Sequence, residues 1–530
     1  MEKRNWFAAG RGIPATAVLL LMITVPLFPA TADTTGGDGA MELTLRDCIE
    51  IALKNNMDIE VARFDPQIST TAIDQAWGSF DPSVYLQARN SEEDRLSYFG
   101  YEVQGTESSR WLATGYDQTF TPGTNLSFDF FLRSNTSEES AMGDVTSSDS
   151  WLADAQLTVT QPLLRNFGKD LNKRNIYVAQ NNLDISQEAF RSEVITILNS
   201  VQNAYWDLKY AIGWLGVQEQ SLKRAQDLYE LNKVKVEVGA LPPIEITTAE
   251  AEVAARRVGI ITAENDVREA KDALREVLNL AEEISDWERD VIPVDKADFQ
   301  PVEVDWRQEI EEAMANRPDL VQARLDLKNK LIEIDFRQNQ VKPDLSLEAG
   351  YGQAGLNQDQ FDPVTGERTG TASLGDALKG MFDGDLADWY VGATFSMPLR
   401  NRTAKANHAA AKLEKTQAEL SMQRLEQQVV VDVRTAIRIL IGSAEQVSAS
   451  KISVRLAEEK LAAEEKKFEN GLSTSYNVLL MQEDLVEQQN EYARSLLDFK
   501  KAEYGLEAAK GTLLSFVGVE MTGDDGNDVQ

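Results

Sequence analysis

The sequence predicts an α+β membrane protein of two similar halves, each combining long coiled-coil helices with strands of a transmembrane β-barrel. Three observations lead to this fold class. Segments of the first half recur in the second, apolar residues repeat every seven positions in two proline-free stretches, and apolar and polar residues alternate in the regions between them. Together these patterns predict both long helices and β-strands in each half.

The duplication is visible as short segments that recur at a nearly constant distance. Residues 52–58 reappear as residues 313–319, and residues 235–239 are matched by residues 467–471. The offset shrinks from 261 to 232 positions, so the first copy carries extra residues. Repeats of this length are too long for a solenoid and suggest two halves about a pseudo-symmetry axis.

The ends of the chain differ from the repeats in composition. Basic residues precede an apolar run that ends at Pro29-Ala30-Thr31-Ala32, a small-x-small cleavage site. An uncleaved anchor is less favoured, because the run is short for a membrane span. We therefore expect a signal peptide over 1–32, a flexible linker over 33–42, repeats over 43–280 and 306–516, a linker over 281–305 and a disordered acidic tail over 517–530.

The composition argues against an enzyme and against a cofactor or metal site. The only cysteine is Cys48 and the only histidine is His408, which lies in an ordinary helical context. These residues cannot supply a Cys/His metal site or a disulfide framework. Acidic residues outnumber basic ones 86 to 53, and a surface of that charge disfavours nucleic acid as a partner.

The proline-free stretches predict very long helices. Residues 167–238 and 401–469 are rich in strong helix formers. Repetition at seven positions implies side-by-side helices with coiled-coil packing, although a simple dimeric rod would show it too. The two ladders are Val201, Leu208, Leu215, Leu222, Tyr229 and Val236, and Val433, Leu440, Val447, Val454, Leu461 and Phe468.

Shorter helices are predicted around each long one. Returning helices are expected near 243–281 and 473–516, and shorter pieces near 43–80 and 306–341. Two short helices placed end to end would match the length of one long helix, which is about 108 Å for 72 residues. This suggests a tall helical cylinder.

Strands are predicted at about 82–162 in the first half and 343–398 in the second. Leu126, Phe128, Phe130 and Leu132 alternate with polar neighbours, for example, as do Trp389, Val391, Ala393 and Phe395. Such runs are typical of transmembrane barrel strands. A soluble sandwich is the alternative, but the strands are too few to close a sheet, so several chains are expected to complete it.

Three segments in this order resemble the TolC-type outer-membrane channel-tunnel proteins of the outer-membrane efflux family. They are the opening at 43–56, the strand end at 158–165, and the turn at 467–471 with residues 476–479. The resemblance covers nearly all of 42–516. It implies a homotrimer with a 12-stranded barrel, four strands per chain, above an α-helical tunnel that crosses the periplasm.

The same resemblance implies a function. The protein would be the exit duct, in the outer membrane and reaching into the periplasm, of a tripartite efflux pump or a type I secretion system. Its partners would be two further copies of itself, a periplasmic adaptor (membrane fusion) protein, an inner-membrane pump and outer-membrane lipid. The alternative is a non-conducting, structural coiled-coil protein of the cell envelope.

The chain departs from the family pattern in two places. The first half holds additional strand-like sequence at 111–133, which would either form an external hairpin or enlarge the barrel. The family often places acidic residues just past the helical turns, where the tunnel narrows. Here Glu245 follows the turn glycine Gly239, whereas neutral Asn477 and then Leu480 follow Gly471.

The candidate periplasmic constriction therefore consists of Glu245, Asn477 and Leu480. A ring of carboxylates in a narrow pore attracts cations and repels anions. Glu245 can equally be a first-turn acid that complements the helix dipole, and the sequence leaves both readings open.

Overall fold

A computed structural model describes residues 22–23, 41–98, 102–141, 144–280, 290–384, 386–519 and 521–522. The expected linker at 33–42 and acidic tail at 517–530 lie largely outside these residues, as does nearly all of the expected signal peptide. Among the helices within these ranges, none is long and apolar enough to cross a bilayer.

The helices follow the predicted order. They are α1 (Leu45–Asn55), α2 (Met57–Trp77), α3 (Lys169–Asn172), α4 (Arg174–Glu237), α5 (Ile244–Leu278), α6 (Trp306–Asn316), α7 (Pro318–Gln340), α8 (Leu374–Asp383), α9 (Arg402–Glu469), α10 (Ser475–Lys510) and α11 (Leu513–Phe516). A 3₁₀ turn, Gly78–Phe80, follows α2. With 64 and 68 residues, α4 and α9 are each about 100 Å long.

The strands divide into one large sheet and three small pairs. They are β1 (Met22–Ile23), β2 (Met41–Leu43), β3 (Ser83–Tyr98), β4 (Glu102–Thr119), β5 (Asn125–Ala141), β6 (Asp144–Pro162), β7 (Val291–Pro293), β8 (Asp344–Gln358), β9 (Gln360–Phe361), β10 (Arg368–Gly370), β11 (Leu386–Ser396) and β12 (Met521–Thr522). The large sheet has the order β11-β8-β6-β5-β4-β3, and every neighbouring pair is antiparallel.

The long helices differ from the prediction only at one end. The first was expected from residue 167, but α4 begins at Arg174, after the separate short helix α3. Asn166 and Gly168 have positive φ angles, of 62° and 118°, which no helix accommodates. The heptad ladders are confirmed as packing positions, because every rung is buried or half-buried.

The two short helical pieces are each split at the same repeat position. The break lies at Asn56 between α1 and α2, and at Arg317 between α6 and α7, 261 positions later. Both residues are extended, with ψ of 124°. Asn56 accepts hydrogen bonds from the amides of Asp58 and Ile59, and Pro318 begins α7, so both second helices start with a recognised N-terminal signal.

The first compact unit of the chain falls within residues 1–69, 183–325 and 419–530, and its described residues are mainly helical. Its core centres on Tyr205, whose ring is fully buried and packs edge-on against Trp206. The Tyr205 hydroxyl donates to Asp295 at 2.8 Å, and the Leu45 amide donates to the same carboxylate at 2.7 Å.

Cys48 lies in the same core and is completely buried. Burial, with a smaller contribution from Asp47, raises the pKa of its thiol to about 12. The thiol is therefore an inert packing group at neutral pH.

The second compact unit comprises residues 70–182 and 326–418 and contains the large sheet. Residues 111–133, whose place the sequence left open, form the adjacent ends of β4 and β5 and the turn between them, and both strands are paired on both sides. The four strands per chain implied by the resemblance are therefore too few, and the sheet has six. Helix α8 packs on the sheet through Ala377 and Met381, against Ala153 and its neighbours.

Candidate functional site at the helix turns

Two turns connect each long helix to its returning helix and share one geometry. Gly239 and Gly471 have φ angles of 74° and 72°, in the left-handed region that glycine adopts without strain. The Gly239 amide donates to Val236 at 2.9 Å and the Ala240 amide donates to Lys235 at 2.7 Å. The second turn repeats this pair of hydrogen bonds, so both helices end in a Schellman motif.

The returning helices begin differently in the two halves. Pro242 and Pro243 precede α5, and no side chain caps that helix. In the other half, Thr474 caps α10 by accepting a hydrogen bond from the Asn477 amide. The first turn is therefore stiffened by proline and the second is held by a side-chain cap.

The two turns contact each other within the helical unit. Ser475 is 1% exposed and its hydroxyl donates to the Glu245 carboxylate. The Lys235 ammonium donates to the Phe468 carbonyl at 2.9 Å and lies 3.8 Å from the centre of the Phe468 ring. These contacts hold the carboxylate of one turn against the N-terminus of the helix that leaves the other.

The three candidate constriction residues have different surroundings. Glu245 is half-buried and engaged by Ser475, whereas Asn477 and Leu480 are exposed. The Asn477 side chain turns back to donate to Ser473 at 3.2 Å. Glu245 also lies in the first turn of α5, as the helix-dipole reading requires.

Further carboxylates near the second turn have shifted pKa values. Hydrogen bonds from Lys467 and Ser473 lower the pKa of Glu464. Burial raises the pKa of Glu465, partly opposed by Arg224. At neutral pH Glu464 therefore remains ionised beside the turn.

An apolar surface surrounds the two turns. Five side chains on it are more than half exposed: Val234, Val238, Ile244, Leu472 and Tyr476. Side chains of this kind on a helix end are typical of a surface that meets another protein.

Sequence reasoning missed Ser475 and Lys235 as members of this site. The sequence does carry a signal for the start of α10, a Ser-Thr-Ser run just before an apolar stretch. It carries none for the contact of Lys235 with Phe468, because the two residues are 233 positions apart.

Known proteins resemble the chain along most of its length. The family model described as outer membrane efflux protein matches residues 48–280 and 310–512. Nodulation protein T of Rhizobium leguminosarum bv. trifolii is 23% identical over 350 residues, covering 64% of this chain and 68% of the relative. A probable efflux pump outer membrane protein, TtgC of Pseudomonas putida, is 22% identical over 327 residues, 62% of each chain.

Solved structures share the fold. The Campylobacter jejuni CmeC outer membrane channel superposes with a TM-score of 0.60 at 14% identity, over 88% of this chain and 86% of that one. The Vibrio cholerae outer membrane protein VceC gives a TM-score of 0.59 at 15% identity, over 88% of this chain and 96% of its own.

Proposed function

The chain belongs to the outer membrane efflux protein family, and from this premise we propose that it is the exit duct of an export complex. The predicted family is thereby confirmed, and it is a family of outer-membrane channels, not of enzymes. The protein resides in the outer membrane and extends into the periplasm. Within the complex it conducts substrate passively and performs no chemistry.

The observation that carries the proposal is the apolar surface that a single chain leaves uncovered. On α2, Met57, Val61 and Phe64 follow the spacing of one helix face, and each is more than half exposed. An exposed apolar stripe of this kind marks a surface that packs against a partner. Two further copies of the chain supply such a partner in a homotrimer, and the helices then enclose a tunnel.

The partners follow from the family and from the relatives' names. TtgC and ArpC are named as outer membrane proteins of efflux pumps. By analogy, a periplasmic adaptor and an inner-membrane pump would join this trimer in a tripartite complex. Efflux of small molecules and type I secretion of protein both fit such a duct.

We place the gate at the two helix turns, with Glu245, Asn477 and Leu480 as the constriction. The position of Glu245 in the first turn of α5, just after the Gly239 turn, supports this assignment, because three copies would bring three carboxylates around one axis. Gly239 and Gly471 would let the helix pairs α4–α5 and α9–α10 turn sharply where the two helices of each pair meet. A shear of these pairs, driven by the adaptor, would open the tunnel.

Planar-bilayer recording of the purified full-length protein tests the duct. We expect discrete, cation-selective channels with low conductance while the tip is closed. A non-conducting structural protein of the envelope, the alternative that the sequence left open, would insert without any conductance.

A further inference from the structure

The large sheet is continuous across all six strands. One row of paired residues runs from edge to edge with no break in register: Val84, Tyr116, Phe128, Leu157, Tyr351 and Trp389. All six are apolar or aromatic. The next row, on the opposite face, includes Asp129, Gln156 and Asp388. This row is therefore apolar across the full width of the sheet, including the additional strands β4 and β5. Helix α8 covers part of the same face, around Ala153.

The hairpin of β4 and β5 also spans the full height of the sheet. Its turn at 121–124 lies beside the residues that lead from β6 into α4. The Gly168 amide donates to the Pro122 carbonyl at 3.3 Å, and the Asn172 side chain donates to the Thr121 carbonyl at 3.2 Å. A hairpin outside the sheet would have neither these anchors nor ladder partners on both sides.

Tyrosines fix the register near both edges of the sheet in the same way. The ring of Tyr85 on β3 lies over Gly115 of β4, and its hydroxyl donates to Asp129 at 2.6 Å. The ring of Tyr390 on β11 lies over Gly350 of β8, and its hydroxyl donates to Glu348 at 2.6 Å. Aromatic cover of a strand glycine pins the pairing of the two strands. The β3–β4 pair is thus built like the β8–β11 pair.

The free edges suit closure by further copies of the chain. Among the described strands, β3 and β11 each have a ladder partner on one side only. Five successive antiparallel pairs make β3 and β11 run in opposite directions, so β11 of one copy can pair antiparallel with β3 of the next. Head-to-tail contacts of this kind close into a ring.

We propose that three copies close into an 18-stranded barrel instead of the 12-stranded barrel of the family pattern. The inference rests on the proposed function and specifies the width of its membrane portion. With strands about 4.8 Å apart and tilted by about 40°, the barrel backbone is roughly 36 Å across, against roughly 24 Å for 12 strands. The lumen is then as wide as that of a porin, and the size limit for cargo lies in the helical tunnel.

Electron cryo-microscopy of the full-length protein in lipid nanodiscs tests the strand number directly. We expect a three-fold ring with 18 strands in its wall. A three-fold ring with 12 strands, and the β4–β5 hairpin beside it, would overturn the inference and leave the duct intact. Particles with no closed ring would instead refute the proposed function.

A matched pair of arginine substitutions tests whether β5 faces lipid. Phe128 is on the apolar face of the sheet and Ser127 is on the opposite face. Phe128→Arg should lower the yield of membrane-assembled trimers about tenfold or more, whereas Ser127→Arg should leave it near that of the unmodified protein. Val391→Arg, on β11, is the positive control. Equal yields for the two β5 variants, with loss for Val391→Arg, would place the hairpin outside the wall.

Discussion

At the scale of single residues, polar groups inside the helical unit are held by specific partners. Tyr205 and Asp295 link the core of the unit to the segment between the two repeats. Lys510 is 5% exposed and lies within 3.2 Å of three carboxylates, those of Glu309, Glu312 and Glu507. These charges compensate one another locally, so removal of Lys510 leaves the three carboxylates without a counter-charge.

Substitution of Lys510 should destabilise the protein strongly. Lys510→Met leaves the three carboxylates without their cation and should reduce the free energy of unfolding by about 3–5 kcal/mol. Thermal unfolding in detergent measures the effect. Lys501→Met is the control, because Lys501 forms a more exposed ion pair with Asp207 and should cost no more than about 1 kcal/mol. Equal shifts for the two variants would contradict this account.

The stabilisation that Lys510 contributes should depend on pH, and the direction of that dependence follows from its pKa. Burial alone would lower the pKa of Lys510, but hydrogen bonds to Glu309 and Glu507 raise it overall. Because the pKa is higher in the folded state, the stabilisation is complete below the unfolded pKa of about 10.4 and is lost as the pH rises above it. The difference in melting temperature between Lys510→Met and the unmodified protein should therefore shrink above about pH 10.4.

Glu245 should determine ion selectivity if it lines the constriction. Glu245→Gln removes one carboxylate per chain and should lower the cation-to-anion permeability ratio in planar bilayers several-fold. Glu311→Gln makes the same change of charge at an exposed position on α6 and should leave the ratio unchanged. Unaltered selectivity in Glu245→Gln would assign Glu245 to the first turn of α5 as a dipole-complementing acid.

At the scale of elements, the fold depends on where helices stop and where they contact the sheet. The breaks at Asn56 and Arg317 recur at equivalent positions of the two repeats, and so do the glycine turns. Helix α8 has no counterpart of this kind in the first half within the described residues. It lies on the sheet because Gly355 of β8 has no side chain to keep its backbone away.

A side chain at Gly355 should displace α8. A Cβ atom there would overlap the backbone of Ala377 and Met381, neither of which is a flexible group. Gly355→Ala should therefore cost about 1–3 kcal/mol and increase the rate of proteolysis within residues 359–384. Gly392→Ala, on β11 where nothing lies near a new Cβ atom, should leave proteolysis unchanged. Full protection in both variants would show that α8 does not rest on β8.

At the scale of the whole molecule, the single chain exposes surfaces that only an assembly can cover. These surfaces are of two kinds. The stripe on α2 is an apolar helix face, and the two free sheet edges present backbone hydrogen-bonding groups. A ring of identical chains covers both kinds of surface at once.

A charge in the α2 stripe should weaken the trimer. Phe64 is 52% exposed in the single chain, and Phe64→Asp would bury a carboxylate in the contact between copies. We expect the fraction of trimer, measured by light scattering in detergent, to fall at least tenfold at micromolar concentration. Gln308→Asp adds the same charge at an exposed polar position on α6 and serves as the control. A stable Phe64→Asp trimer would exclude this face from the interface.

Much of the fold could be predicted from local patterns. The heptad ladders identified the buried faces of α4 and α9, because a helix repeats its contacts at a fixed spacing wherever it packs. Glycine after each ladder predicted the ends of both helices, since a left-handed residue terminates a helix regardless of its surroundings. The alternation of apolar and polar residues likewise predicted the central parts of β5, β6, β8 and β11.

The candidate site was less predictable than the fold. Spacing from the turn glycines drew attention to Glu245, but its contact with Ser475 joins residues 230 positions apart. The number of strands was also undecided, because the alternation of apolar and polar residues at 111–133 suits an external hairpin as well as two strands of the barrel wall.

By itself the sequence determined the duplication, the long helices, the alternating strands and the family, because each depends on residues close together in the chain. Only the tertiary structure decided that β4 and β5 join one six-stranded sheet, that α8 lies on it, and that the two helix turns touch. Those features depend on pairing between distant segments, and the free energy of such pairing depends on which surfaces meet and not on any local pattern.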